Sequence, residues 1–310
     1  MNVVDRWPLA WRLLPWWKQR GWQEIDSAAY ESAYAQFGGS VITHPQFIRA
    51  VSALTAMPLR YFGRYEEDVL IGAVPTWNSF IAGDKRALKR AHQYDRVDIG
   101  NMEVILPFAP QACAVPLHFK NNYISAKHIV QIKSLHQQSE TLCFLKSYGN
   151  NEFSKKFQYN RNREWRLLED DGGLARDINE FALADVFKWY AELFEMRWHK
   201  KPKAFEYLYE QLDALKSFLT GKILFFQDTP IAIQLLFMAH SPEWISVEFL
   251  NGGVNPNFYQ YSPGSVLVSL NTQSISSYAH AEGKELRYSF GLSDADYKAL
   301  WCHQMPVYRT

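Results

Sequence analysis

Residues 222–250 read KILFFQDTPIAIQLLFMAHSPEWISVEFL. Three runs of strand-forming residues, 222–227, 231–238 and 244–250, are separated by the turn formers Asp228-Thr229-Pro230 and Ser241-Pro242-Glu243. β-branched and aromatic residues punctuated in this way predict a three-stranded antiparallel meander. The run 231–239 is the longest apolar stretch of the chain. Gln234 interrupts it, and it falls far short of the roughly 20 residues of a bilayer span.

The pattern continues outward from the meander. On its C-terminal side come an irregular loop over 251–263, a helix opening at Gly264-Ser265, a strand over 285–290 and a short helix over 294–301. On its N-terminal side Leu183, Phe187, Tyr190 and Phe194 recur at the period of a buried helix stripe, as do Phe205, Leu208, Leu212, Leu215 and Leu219. Before these stand a helix over 152–163, a strand over 165–168 and a turn at Asp170-Asp171-Gly172-Gly173. This order predicts a mixed α+β layer, not the alternation of a doubly wound sheet. No glycine-rich dinucleotide or P-loop pattern occurs, which argues against dinucleotide binding and phosphoryl transfer.

At Gly149-Asn150-Asn151 the pattern restarts. A length of 310 residues exceeds ordinary single-domain size, so two domains are expected, 1–150 and 151–310. The first should hold a helix over 27–37 ended by Gly38-Gly39, and a helix from Pro45 with Phe47, Ile48, Val51 and Leu54 on one face. A hairpin over 59–65 and 69–77 follows, then a basic segment (85–96) whose Lys85, Arg86, Lys89 and Arg90 suit a solvated helix face. A strand over 104–108, a helix over 126–137 and a strand over 141–148 complete it.

Lys and Arg number 33 against 32 Asp and Glu, and 47% of residues are hydrophobic, which excludes disorder and wholesale coating of nucleic acid. The halves differ in sign: 16 basic and 12 acidic side chains in 1–150, 17 and 20 in 151–310, so any basic surface is local. Cys113, Cys143 and Cys302 are too dispersed for a disulfide framework or a metal knuckle and are expected to be plain thiols in a reducing compartment. The nine histidines show no ligand spacing, so no metal is expected. Ser265 lacks the Gly-x-Ser-x-Gly surround of a nucleophile elbow, which argues against a covalent serine mechanism.

Residues 6–22, RWPLAWRLLPWWKQRGW, interleave five tryptophans with four cations and no acid. Rings with a polar edge favour the headgroup layer and cations favour anionic lipid, so contact with the inner membrane surface through residues 1–22 is one expectation. Docking of these rings on the protein's own core is the other. Pro8 and Pro15 exclude a long amphipathic helix here. No cleavable apolar core occurs at the start, so the chain is expected to remain cytoplasmic, peripheral to the membrane.

The order of elements in the second half resembles the acetyltransferase fold of the GCN5-related (GNAT) superfamily. Its wording is closer to the Fem-type branch, which includes peptidoglycan aminoacyltransferases. The basic helix is matched by Lys155-Lys156-Phe157-Gln158-Tyr159-Asn160-Arg161-Asn162-Arg163, and the helix ending in a basic segment by Arg197-Trp198-His199-Lys200-Lys201-Pro202. Pro230-Ile231-Ala232, Pro263-Gly264-Ser265, Phe290-Gly291 and Asp296-Tyr297-Lys298 follow in the order of that branch. The resemblance covers residues 152–301. Within the branch the whole chain is similar to the macrophage-inducible family of Gram-negative bacteria tied to resistance to cationic antimicrobial peptides.

The resemblance implies two tandem GNAT-like folds, each a mostly antiparallel sheet flanked by helices, with a degenerate first copy. It also implies acyl or aminoacyl transfer to an amine or hydroxyl, from an acyl-coenzyme A or aminoacyl-tRNA donor. Nucleic acid other than tRNA is not expected. In that fold the donor's phosphates rest on backbone N–H groups at the start of the helix after the meander, here Tyr261, Gly264 and Ser265. Pro263 removes one donor there, a departure from the superfamily's loop. Glu248 on the third strand is a candidate base if it faces the cleft and a solvated carboxylate otherwise. Tyr297 is a candidate acid for the departing carrier and Lys298 a candidate phosphate ligand, with structural roles open for both. Lys155, Lys156, Arg161 and Arg163 in the basic helix 152–166, together with Arg197, suit either an anionic ligand or a solvated face. A cluster around Lys200, Lys201 and Lys203 would flank the same groove if the domain closes as the resemblance implies. The alternative class is a non-catalytic binding or regulatory protein on the same fold, contacting membrane, peptide or nucleic acid.

Overall fold

The computed structural model describes residues 21–133 and 135–310. The first sheet is antiparallel, with strands β1 (Trp22–Ile25), β2 (Leu59–Glu66), β3 (Val69–Trp77) and β4 (Phe80–Ile81) in sequence order. Glu67 and Asp68 join β2 to β3 at φ 48° and 65°, the two-residue turn whose twist matches paired strands. Helix α1 (Ser27–Phe37) packs on β2 and β3, and α2 (Pro45–Leu54) packs on α1. Asp26 caps α1 by accepting the Ala29 N–H at 2.8 Å. Gly38 ends it at φ 77°, where a Cβ would come within 2.9 Å of Trp244.

After β4 the chain continues through α3 (Lys85–Arg90) and four strands, β5 (Val115–Pro116), β6 (Ile124–Ser125), β7 (Ile132–Lys133) and β8 (His136–Leu145), of which β5 and β7 pair with each other. The second half supplies α4 (Lys155–Asp170), β9 (Gly173–Asp177), α5 (Leu183–Trp198), α6 (Phe205–Ala214) and β10 (Leu219–Thr220). The meander follows as β11 (Lys222–Phe226), β12 (Thr229–His240) and β13 (Trp244–Val254). Then come α7 (Pro263–Ala281), β14 (Glu285–Leu292), α8 (Lys298–Trp301) and β15 (Cys302–Arg309). The second sheet runs β6-β15-β8-β14-β13-β12-β11-β9, with β10 also paired to β12. Its meander is antiparallel, whereas β13 and β14 are parallel, joined through α7.

Several local expectations are corrected. Residues 165–168 are not a strand: Phe157, Trp165 and Leu168 fall on one helical stripe, and α4 runs on to the turn at Gly172 (φ 95°). The strand of that region is β9, one turn later. Residues 126–137 form only a single 3-10 turn before β7 and β8, because β8 fills the sheet position between β14 and β15. The final helix shrinks to Lys298–Trp301, and the unanticipated β15 pairs with β8 from Cys302↔Leu145 to Arg309↔His136. Residues 104–108 make isolated bridges at Val104 and Phe108 instead of a strand.

The second sheet takes β6 and β8 from before position 150, and the main core also crosses it. Phe47 of α2 meets Phe237 of β12 edge to face, with centroids 5.2 Å apart. At the same junction the Gly39 carbonyl accepts from Ser241 Oγ and from Trp244 Nε1, each at 2.8 Å. Trp22, the last of the five N-terminal tryptophans, is fully buried. Its indole N–H donates to the Pro116 carbonyl at 2.9 Å, and its ring stands edge-on to Phe108 and Phe119, so this ring docks on the core. Trp7, Trp11, Trp16 and Trp17 lie outside the described residues. Among the described residues no helix is long and apolar enough to cross a membrane.

Candidate functional site

β13 and β14 pair from Trp244↔Glu285 to Glu248↔Ser289 and then part. Past that point β13 carries a bulge at Leu250, opposite Leu235 and Leu236 of β12, where a strand bends locally. The opening is a cleft of about 380 Å³ whose lining includes β12 (Ile233, Gln234), β13 (Phe249, Gly252, Gly253), the first turns of α7, Arg197 of α5, and Tyr297, Leu300 and Trp301 around α8. Gly253 fixes one wall: a Cβ there would lie 2.4 Å from the Phe194 backbone nitrogen, so only glycine admits α5 this close. Gly264 differs, because a Cβ would meet only Val254, at 3.4 Å.

Gly264, Ser265, Arg197 and Tyr297 therefore share one cavity. The first turn of α7 offers fewer amides than its position suggests. Pro263 has no N–H, and those of Ser265 and Val266 both turn back to the Ser262 carbonyl, at 2.9 and 3.0 Å. Only the Gly264 N–H of that turn lacks an acceptor among the described residues. Among the described residues no carboxylate pairs with Arg197, whose guanidinium stacks over Trp198 at 4.6 Å. Burial raises the Tyr297 hydroxyl pKa, with Arg197 pulling it partly back, so the phenol keeps its proton at neutral pH.

Gln234 was not singled out as a site residue. It is 2% exposed, and its Oε1 accepts from Asn271 Nδ2 at 2.6 Å. Its Nε2 is buried with no hydrogen-bond partner among the described residues, in a side chain that belongs to the cleft lining. The signal in the sequence was the single polar residue interrupting the apolar run 231–239.

Other expected residues stand elsewhere. Glu248 is neither in the cleft nor solvated. Strand alternation places it on the face opposite Phe249, where it is buried and its Oε1 accepts the Glu103 N–H at 2.9 Å. Burial raises its pKa to about 8, and Ser289, Glu103 and Arg287 are its polar neighbours. Glu103 in turn binds Arg287 through two hydrogen bonds, at 2.9 and 2.5 Å, tying the first half to β14. Lys298 is engaged internally, its Nζ donating to the Leu292 carbonyl at 2.6 Å and pairing with Asp294 at 2.7 Å. Tyr261 lies beside the cleft, its hydroxyl donating to Asp171 at 2.8 Å.

Of the basic helix, Arg161 is paired with Glu164 at 2.8 Å, and Lys155, Lys156 and Arg163 are exposed and do not line the cleft. Lys201 is paired with Glu195, and Lys203 stands 3.5 Å over the Tyr94 ring, so the clusters do not converge on one groove. Among the described residues no group of three or more His, Cys, Asp or Glu is placed to hold a metal.

A meander, a helix entered through Pro-Gly-Ser and a parallel strand parted from its neighbour give the chain a tandem GNAT-like fold of the Fem type. The solved structure of FemX matches with a TM-score of 0.56 at 10% identity, over 93% of this chain and 96% of that one. The chain belongs to the Mig-14 family, whose model matches residues 44–310. Two weaker structural likenesses are L-PGS from Bacillus licheniformis (TM-score 0.47, 11% identity, 93% and 92% covered) and a tandem GNAT protein of the clavulanic acid biosynthesis pathway (0.43, 9%, 93% and 97%). The fold assignment rests on FemX alone. No curated protein matches the chain.

Proposed function

We propose that this protein is an acyl- or aminoacyltransferase of the Fem-like GNAT class, moving an acyl group from an anionic carrier to an amine or hydroxyl of an envelope component. Membership of the Mig-14 family supports a role for that activity in resistance to cationic antimicrobial peptides, and we propose that it acts at the inner membrane surface. The observation that supports the reading is the unpaired Gln234 Nε2 in the wall of the cleft. A buried donor without a partner costs about 1–3 kcal/mol, a cost removed when a ligand oxygen accepts from it. In the reaction the acceptor's nitrogen or oxygen attacks the acyl carbonyl carbon. The new bond forms, the bond to the carrier breaks, and the proton lost by the acceptor balances the one gained by the carrier.

Gln234 Nε2 and the Gly264 N–H are the donors available to the carbonyl oxygen and a carrier phosphate. Arg197 offsets the carrier's charge, and Tyr297 holds the proton that the departing group needs. Among the described residues no carboxylate lines the cleft to act as base, and this observation favours a second reading, a non-catalytic binding protein on the same fold.

Calorimetric titration of wild type and Gln234→Met with acetyl-coenzyme A and alanyl-tRNA, followed by turnover with amine acceptors, separates the two. Binding weakened at least tenfold by the substitution, with turnover in wild type, supports the transferase. Binding without turnover supports the second reading, and absence of binding refutes both.

A further inference from the structure

Acyl and aminoacyl groups of similar size differ by one charge. An aminoacyl group brings an α-ammonium, which in a desolvated site requires a carboxylate. Among the described residues none lines this cleft. Glu164, beside Ser262, is paired with Arg161, and Asp294, beside Tyr297, is paired with Lys298. The one charged side chain of the lining is Arg197, which repels an ammonium. Ile233, Phe249, Leu267, Val268 and Trp301 make the interior apolar. The mouth is apolar too: Leu300 and Tyr259 each remain 57% exposed at its rim. An exposed leucine and tyrosine continuous with an apolar cavity extend the surface on which a hydrocarbon chain loses contact with water.

We infer that the occupant of the cleft is an uncharged hydrocarbon acyl chain, longer than acetyl, with an anionic group at one end held by Arg197, and that aminoacyl groups are excluded. This inference rests on the transferase reading of the same cleft. Two sources share that chemistry, an acyl thioester of coenzyme A and a single-chain anionic phospholipid.

The test titrates the full chain with acetyl-, hexanoyl- and decanoyl-coenzyme A, a ten-carbon monoacyl phosphatidylglycerol, and alanyl-tRNA. Each buried methylene should tighten binding about threefold to fourfold, so hexanoyl should exceed acetyl by on the order of a hundredfold. Leu300→Asp, at an exposed position, should remove most of the gain from hexanoyl to decanoyl. Arg197→Gln should weaken every chain length about tenfold, the scale of one charge-assisted contact. Tighter binding of the phospholipid than of decanoyl-coenzyme A identifies the lipid as the source, and the reverse order identifies the thioester. Equal affinity across chain lengths, alanyl-tRNA binding tighter than the acyl thioesters, or a chain-length gain untouched by Leu300→Asp overturns the inference. If acetyl-coenzyme A or alanyl-tRNA still binds through Gln234 and Arg197 in those cases, the transferase reading stands. If no probe binds, both fall.

Discussion

Replacing Glu248 with glutamine should flatten the dependence of stability on pH. The side chain is buried, accepts the Glu103 N–H and carries a pKa raised by burial to about 8, against the usual 4.5. Between those two values the folded chain holds a proton that the unfolded chain releases. Stability is therefore fully present below pH 4.5 and is lost as pH rises through about 8. At about 1.4 kcal/mol per pH unit across that window, the loss attributable to Glu248 is at most on the order of 5 kcal/mol. Glutamine mimics the protonated acid in size, keeps an acceptor for the Glu103 N–H and a donor for Ser289, and does not titrate.

The assay is urea unfolding at pH 5, 6, 7 and 8, followed by tryptophan fluorescence, for wild type and Glu248→Gln. The midpoints should coincide near pH 5 and diverge in favour of the variant toward pH 8. Other titrating groups contribute to both proteins alike, so the difference between the curves isolates this carboxyl. Parallel curves would refute the placement of Glu248 in a desolvated site. Since the residue lies on the far face of β13 from the cleft, the variant should also bind acyl ligands as wild type does.

Arg287→Met leaves the Glu103 carboxylate buried beside Glu248 without its cation and should destabilise by about 3–5 kcal/mol, whereas Arg287→Met with Glu103→Met should recover much of that in thermal unfolding. Gly253→Ala places a Cβ 2.4 Å from the Phe194 nitrogen and should cost about 1–3 kcal/mol by overpacking, while Gly264→Ala should leave the melting temperature unchanged or slightly raised. Asn271→Leu strands the Gln234 Oε1 and should cost about 1–3 kcal/mol, but Gln234→Met with Asn271→Leu removes both partners and should be close to neutral in a double-mutant cycle. Trp22→Ala, which empties a fully buried site and removes the bond to Pro116, should cost about 3–5 kcal/mol by denaturant titration.

The sequence by itself determined the meander, the hairpin of the first half, helices α1, α2, α5 and α6, and the Pro-Gly-Ser entry to α7. Each of these is written in local periodicity or punctuation, which acts over a few residues and needs no distant partner. It also carried the mark of Gln234, the one polar residue in its longest apolar run. Only the tertiary structure decided the rest. β15 has a weak pattern of its own and becomes a strand because it completes hydrogen bonds offered by β8 and β6, and β8, whose second half the sequence marks, is extended back to His136 by that pairing. The face on which Glu248 lies and the burial of Trp22 depend on groups roughly 100 or more residues away, whereas Lys298 and Arg161 find their partners within six residues, and what the assembled layers set is how far those pairs are withdrawn from solvent. A carboxylate or a cation looks the same in sequence whether it faces water, a buried backbone amide or an open cleft. Desolvation and pairing, set by the assembled layers, choose among those environments.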